Sequence, residues 1–285
     1  MRILVTGLNG FTGQHVGLTL KNRGHQVFGL TSDLTDAQAV ISEVSELKVE
    51  AVVHLAAIAF VGHGNINDIY NINLQGTRNL LEALPKNSEG IKHIVLASSA
   101  NIYGNSSEGS LGELSPANPA NDYAVSKYAM ELMAKLWCDR LPITIVRPFN
   151  YTGVGQADNF LIPKIVKHFK ANEPVIELGN LDVWREFNDV RFVADCYVKI
   201  IKQQNFTSGR VINICTGKTY SLREVVGICE KNTGHKVELC VNPLFVRENE
   251  VRVLKGDNKL LESVIGRSVQ YDLEQTLKWM LDIEE

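Results

Sequence analysis

The chain has 285 residues, with 29 Lys and Arg against 32 Asp and Glu, so its formal charge of −3 and lack of a basic block give no electrostatic reason to bind nucleic acid. Cys138, Cys196, Cys215, Cys229 and Cys240 stand singly, without a C-x-x-C pair, which suits reduced thiols better than a disulfide framework or a zinc site. No apolar run is long enough to span a bilayer, and no charged segment with an apolar stretch precedes the first strand, so a cytoplasmic globular protein with no membrane partner and no metal is expected.

Arg2-Ile3-Leu4-Val5-Thr6 is short, apolar and β-branched, the pattern of a buried strand. Gly7-Leu8-Asn9-Gly10-Phe11-Thr12-Gly13 follows at once and leads into a helical pattern through Leu20. Glycines at this spacing, between a first strand and a helix, supply a tight turn, close backbone approach to a pyrophosphate and a helix N-terminus facing the phosphates. Gly7, Gly10, Phe11, Thr12 and Gly13 are therefore candidate dinucleotide-binding residues.

The second strand, Gln26–Leu30, ends in Thr31-Ser32, where an acidic residue would hold ribose hydroxyls and favour NAD. These residues are small and neutral, so nothing here repels a 2′-phosphate, and no arginine stands by to hold one. Asp33 and Leu34 flank the adenine, or Asp33 caps the next helix. The cofactor is expected to be NADP or NAD, with NADPH slightly favoured.

Val52–Ala57 is a third buried strand whose end, Leu55-Ala56-Ala57, lets a flat cofactor approach. His54 inside it reads as a satisfied core residue rather than a catalytic one. The helical stretch from Ile66 to Leu84 carries Asn73, Gly76 and Thr77, and Asn73 faces either the site or the surface. Lys92–Ser99 is a strand ending in two serines at the sheet edge where ligands bind, so Ser99 can hydrogen-bond a substrate carbonyl. The plainer alternative is a polar strand end in a turn. Ser106 to Asn121, rich in Ser, Gly, Pro and Asn, is read as a loop.

Asn121-Asp122-Tyr123-Ala124-Val125-Ser126-Lys127 opens an amphipathic helix towards Leu136. Tyr123 and Lys127 share one face, about a turn apart. A phenol has a pKa of about 10, and a nearby ammonium favours the phenolate. The pair is thus a chemically sensible proton donor and acceptor for an alcohol–ketone couple. In isolation it reads first as an exposed tyrosine and a solvated lysine, and the other segments decide otherwise. Leu141–Asn150 is the last clear strand of the core.

Strands alternate with helices up to that point, which predicts an α/β, Rossmann-type, doubly wound parallel sheet. After Tyr151-Thr152-Gly153-Val154-Gly155-Gln156 the pattern changes to isolated helices and short strands. The expected division is 1–151 and 152–285, with part of 187–215 packing back on the core. Arg185 and Arg247 lie in the second part; guanidinium groups suit diphosphates, although each alone would count as a surface residue.

Thr6-Gly7-x-x-Gly10-Phe11-x-Gly13, His54-Leu55-Ala56-Ala57, Asn73 with Gly76-Thr77, Ser98-Ser99 with Ile102-Tyr103-Gly104, Tyr123-x-x-x-Lys127 and Arg147-Pro148-Phe149-Asn150 together resemble the extended short-chain dehydrogenase/reductase family of nucleotide-sugar-modifying enzymes. Within it, Arg147–Gln156, Gly179-Asn180-Leu181-Asp182 and Arg247-x-x-Glu250-Val251-x-x-Leu254-x-Gly256-Asp257 are similar to the 4-keto-6-deoxy-hexose reductases. The resemblance implies Tyr123 as general acid/base, Lys127 holding the nicotinamide ribose and tuning Tyr123, and Ser99 orienting the sugar oxygen. It adds cofactor contacts at Asn73 and Pro148. It also implies substrate contacts at Asn150, Arg185, Arg247 and Glu250, with a GDP- or dTDP-linked sugar as partner.

Two departures loosen the choice of nucleotide: Glu186 follows Arg185 where the family has Asp, and Val154 replaces an expected proline. The related 4,6-dehydratases carry an acid two positions after the Ser/Thr; here Asn101 stands there, and an amide cannot transfer that proton. Ketone reduction is therefore the expected reaction. A 4-epimerase with tightly bound NAD is the alternative, and a non-catalytic cofactor-sensing protein the remote one. A homodimer pairing residues 66–84 and 123–136 in a four-helix bundle is also implied.

Overall fold

The computed structural model describes residues 1–59, 65–87, 90–104, 109–246 and 251–283. β1 (Arg2–Thr6) leads through α1 (Phe11–Asn22) to β2 (Gln26–Gly29), and α2 (Ala37–Leu47) returns to β3 (Ala51–His54). α3 (Ile66–Tyr70), a π-helical segment (Asn71–Gly76) and α4 (Thr77–Asn87) run without a break towards β4 (His93–Ala97). A 3-10 turn (Ala100–Tyr103) and the short β5 (Gly109–Leu111) precede α5 (Asp122–Lys135) and β6 (Ile143–Pro148). β7 (Tyr151–Thr152), α6 (Leu161–Lys170), β8 (Val175–Leu178), β9 (Trp184–Arg185) and β10 (Asn188–Asp189) follow, then α7 (Val190–Ile200), α8 (Gln204–Thr207) and β11 (Val211–Ile214). β12 (Tyr220–Ser221), α9 (Leu222–Thr233), β13 (Glu238–Val241), β14 (Val253–Gly256), α10 (Lys259–Ile265) and α11 (Leu273–Asp282) complete the order.

Six strands lie in the order β11-β6-β4-β3-β1-β2, every pair parallel. From β1 the chain steps to β2 on one side and then to β3 on the other, so a crevice opens at the C-terminal ends of β1 and β3. Strand alternation sends Ile3 and Val5 to one face, against Val16 and Leu20 of α1 and Val193 and Tyr197 of α7. Leu4 points to the other face, against Val40 and Val44 of α2, Leu80 and Leu84 of α4, and Met130 and Ala134 of α5. Full burial of each such side chain stabilises by about 2 kcal/mol, so both helical layers are pinned to the strands that carry the crevice. A separate core of Ile165, Phe169, Leu178, Val225, Cys229 and Leu277 fills the smaller lobe.

The structure departs from the sequence pattern in three places. The helix after β3 contains the π turn, inside which Asn73 is fully buried. The segment read as a loop holds β5, whose Gly109 and Leu111 pair with Leu254 and Gly256 of β14. The sheet also continues past β6 to β11, a strand whose apolar run is interrupted by Asn213. That amide is satisfied by the Tyr103 hydroxyl at 2.8 Å and the Leu111 carbonyl at 3.0 Å. β14 ends over the strand tips of β6 and β11: a Cβ on Gly256 would collide with Cys215 and lie 2.8 Å from the Phe149 ring.

Candidate active site

Gly7 turns the chain out of β1 with φ +69°, and a Cβ there would lie 2.9 Å from the Ala56 nitrogen. A Cβ on Gly13 would collide with the Gly7 carbonyl oxygen and lie 2.7 Å from the Leu8 Cα. The Gly10 amide closes the turn on the Gly7 carbonyl at 3.0 Å. α1 then begins at Phe11 with no side-chain cap and no acidic residue in its first turn, so its leading amides remain suited to an anion. Thr12 shares a 2.8 Å hydrogen bond with the Tyr151 hydroxyl, and Phe11 stacks on the Tyr151 ring at 5.9 Å.

Beside this turn lies a cavity of about 180 Å³ lined by Thr6, Gly7, Leu30, Ser32, Asp33, Leu34, Ala56 and Ile72. Gly7, Ser32, Asp33, Leu34 and Ala56 thus come together as expected for the adenosine half of a dinucleotide. Leu55 and Ala56 are anchored by their amides to the Thr6 hydroxyl, each at 3.2 Å, with Ala57 next in line. Leu34 is pressed against Gly76, where a Cβ would meet its Cβ at 2.9 Å. The backbone cradle, uncapped helix and apolar-walled cavity fit the bound cofactor that the sequence implies.

One reading of this region needs correction. Thr31 and Ser32 are neutral, but the carboxylate of Glu43 reaches back from α2 and accepts hydrogen bonds from both amides and both hydroxyls. A negative group therefore does occupy the end of β2. Its place on the next helix hid it from an inspection of the strand end.

Tyr123 sits in the first turn of α5, capped by Asn121, whose side chain accepts from the Ala124 amide at 2.9 Å. Only 8% of Tyr123 is exposed; burial pushes its phenol up to about 12, against a hydrogen bond with Ser99 that pulls it down. The expected lowering by Lys127 is not what dominates. Lys127 is itself 3% exposed, its ammonium donates to the Ala97 carbonyl at 2.7 Å, and burial lowers it to about 8 while Glu131 opposes the fall. The structure thus brings Ser99 and Tyr123 into hydrogen-bond contact, with Lys127 one turn further along the same face of α5. Ser99 also caps the 3-10 turn through the Asn101 amide at 3.1 Å.

A buried network behind the three went unread in the sequence. Glu131 accepts from the Ser98 hydroxyl at 2.5 Å and from Arg147 Nε and Nη2 at 2.9 and 2.7 Å. Arg147 also donates to the Tyr103 hydroxyl at 2.9 Å and the Glu113 carbonyl at 3.0 Å. Glu131 continues the helical face of Tyr123 and Lys127, a periodicity that would have revealed it.

His54 is a core residue, as read: its ring nitrogens meet the hydroxyls of Thr6 at 2.7 Å and Thr77 at 2.8 Å, and burial lowers it to about 3. Asn73 faces inward, not to the surface. Its amide donates to the Ile58 carbonyl and Ser126 and accepts from the Ile58 amide, so it steadies the chain beyond β3 rather than presenting open polar atoms. Pro148 is buried at the end of β6, and Asn150 is exposed just beyond it. Arg185 is half-buried in β9, with one nitrogen on the Trp184 carbonyl at 2.9 Å. Arg247 and Glu250 lie outside the described residues. Among those described, no helix is long and apolar enough to cross a membrane.

A glycine turn at the switch point of a doubly wound sheet, with a Ser99–Tyr123 pair and a buried Lys127 on the neighbouring strand end and helix, fits a dinucleotide-dependent enzyme. Residues 3–215 match the model of the NAD dependent epimerase/dehydratase family, and the chain belongs to that family; its cofactor is NAD or NADP. It is 37% identical over 277 residues to GDP-6-deoxy-D-talose 4-dehydrogenase from Aggregatibacter actinomycetemcomitans, covering 95% of this chain and 93% of that protein. GDP-6-deoxy-D-mannose reductase from Pseudomonas aeruginosa is 31% identical over 300 residues, covering 98% and 96%. Among solved structures, a Burkholderia cenocepacia J2315 protein regarded as an epimerase superposes with a TM-score of 0.94 and 44% identity, over 99% of this chain and 97% of that one. The Pseudomonas aeruginosa protein RMD complexed with NADPH superposes with a TM-score of 0.88 and 27% identity, over 99% and 98%.

Proposed function

We propose that the chain reduces the C4 ketone of a nucleotide-linked 4-keto-6-deoxy-hexose, with GDP as the nucleotide. The observation that carries this reading is a buried phenol at Tyr123, hydrogen-bonded to Ser99 at the edge of the dinucleotide crevice. The names of the two GDP-6-deoxy-sugar relatives support the substrate class and the C4 oxidoreduction.

When bound, NAD(P)H supplies hydride to the sugar C4. Ser99 orients the ketone by donating to its oxygen, and Tyr123 gives that oxygen its phenolic proton. The charged Lys127 steadies the phenolate left behind, helped by the N-terminus of α5, before solvent returns the proton. Asn150 and Arg185, with Arg247 and Glu250, are the proposed contacts to the nucleotide diphosphate.

The Burkholderia structure favours a second reading, a 4-epimerase using the same three groups. The nicotinamide absorbance after addition of GDP-4-keto-6-deoxy-mannose separates them. Stoichiometric loss of NAD(P)H with formation of a 6-deoxy-hexose is the expected result. An unchanged absorbance with that ketone, together with interconversion of the two C4 epimers when the GDP-6-deoxy-hexose alcohol is supplied instead, would replace the reductase by the epimerase.

A further inference from the structure

We propose that Glu43 makes this chain selective for NAD(H) over NADP(H), by occupying from α2 the hydrogen-bond donors at the end of β2 that a ribose 2′-phosphate would need. The inference rests on the reading of the crevice as a dinucleotide site and goes further by choosing between the two cofactors.

The turn after β2 has the makings of a phosphate site: two successive amides and two hydroxyls converge on one point. That point is already filled. Glu43 Oε1 accepts from the Thr31 amide at 2.8 Å and the Thr31 hydroxyl at 2.9 Å. Oε2 accepts from the Ser32 amide at 2.7 Å and the Ser32 hydroxyl at 2.5 Å. Each oxygen accepts twice, which fills the roughly four acceptor sites of an ionised carboxylate. Burial opposes its ionisation, but the bonds from Ser32 and Thr31 outweigh that and hold the carboxyl below its usual range.

Asp33 adds a second negative charge in the cavity wall, with Oδ1 held by the Thr35 amide and hydroxyl, both at 2.8 Å. No Lys or Arg stands among the residues lining this cavity. A neutral 2′-hydroxyl can lie beside two carboxylates. A phosphate dianion would meet like charges and find its donors engaged, so it could enter only by expelling Glu43. The NADPH of the Pseudomonas structure belongs to a protein sharing 27% of this sequence, and the Glu43 clamp is the feature that sets the cofactor here.

The test is binding to the apo protein by calorimetry, with NAD⁺, NADP⁺, AMP and adenosine 2′,5′-bisphosphate, for wild type, Glu43→Gln and Glu43→Ala. Wild type should favour NAD⁺ and AMP over their 2′-phosphorylated partners by about tenfold or more. Both variants should narrow that ratio by about tenfold. A purely structural role would weaken all four ligands together and leave the ratio unmoved, which overturns the proposal. So does a wild-type protein that binds NADP⁺ as tightly as NAD⁺. If neither variant folds, wild type still decides: the preference rests on like-charge repulsion and should shrink as salt rises, and a salt-independent ratio refutes it. Failure to bind any of the four ligands would instead strike at the dinucleotide reading itself.

Discussion

Lys127 is 3% exposed, and burial lowers its ammonium from 10.5 to about 8. At pH 7 the folded chain therefore holds a charge that it disfavours, at a cost of about 3 kcal/mol. Lys127→Met has similar length and no charge. It should unfold with about 2–3 kcal/mol more stability at pH 7 while losing turnover, a trade expected where function opposes stability. Between pH 8 and 10.5 the unfolded chain keeps the proton that the folded chain has released, so wild-type stability rises with pH across that window. Urea midpoints should show that rise in wild type and not in the variant. His54 works in the same direction at lower pH, between about 3 and 6.5. Its ring is held neutral to about 3, so its contribution is complete above pH 6.5 and is lost as the pH falls below that value. His54→Gln should flatten the acid limb of the stability profile; parallel limbs in the two proteins would remove His54 from the account.

α5 carries Tyr123, Lys127 and Glu131 on one face, and the Glu131–Arg147 pair fixes that face to β6. Glu131 is fully buried and Arg147 is 5% exposed, so truncating one partner strands the other charge. Glu131→Ala should cost about 3–5 kcal/mol in urea unfolding, and the double variant Glu131→Leu with Arg147→Met should recover much of it. Equal losses in the single and double variants would contradict a charge-pairing role.

The elements around this helix differ in how openly the sequence declared them. β1, α1 and α5 were legible because an apolar β-branched run, the glycine spacing and helical periodicity are each contained within a short segment. The π turn was not, since an apolar stripe survives the local change of period. β5 declares itself only through its pairing with β14, and β11, within the 187–215 stretch expected to pack back, through its pairing with β6, its apolar run being broken by Asn213. Both depend on partners far along the chain, which local patterns do not carry. Glu43 escaped for the same reason: its role appears only when α2 folds back on β2.

Across the whole molecule, α5 leaves Val125, Leu132 and Leu136 40%, 48% and 74% exposed along one side, next to a helix whose Ile66 is 52% exposed. Burying that stripe in a second copy is the dimer proposed from family resemblance. Sedimentation should give a dimer for wild type and a monomer for Leu132→Glu; a wild-type monomer would leave the stripe without a partner. The cofactor half of the site was readable because backbone geometry demands glycine at Gly7 and Gly13. The proposed substrate half was less so, because Asn150 and Arg185 are ordinary residue types that no local spacing marks out. What matters most is whether the Tyr123 hydroxyl delivers the proton. The most direct measurement is the turnover of Tyr123→Phe at saturating cofactor and keto-sugar. A fall of about a hundredfold or more, with cofactor affinity retained, is the predicted result. Turnover close to that of wild type would contradict the account.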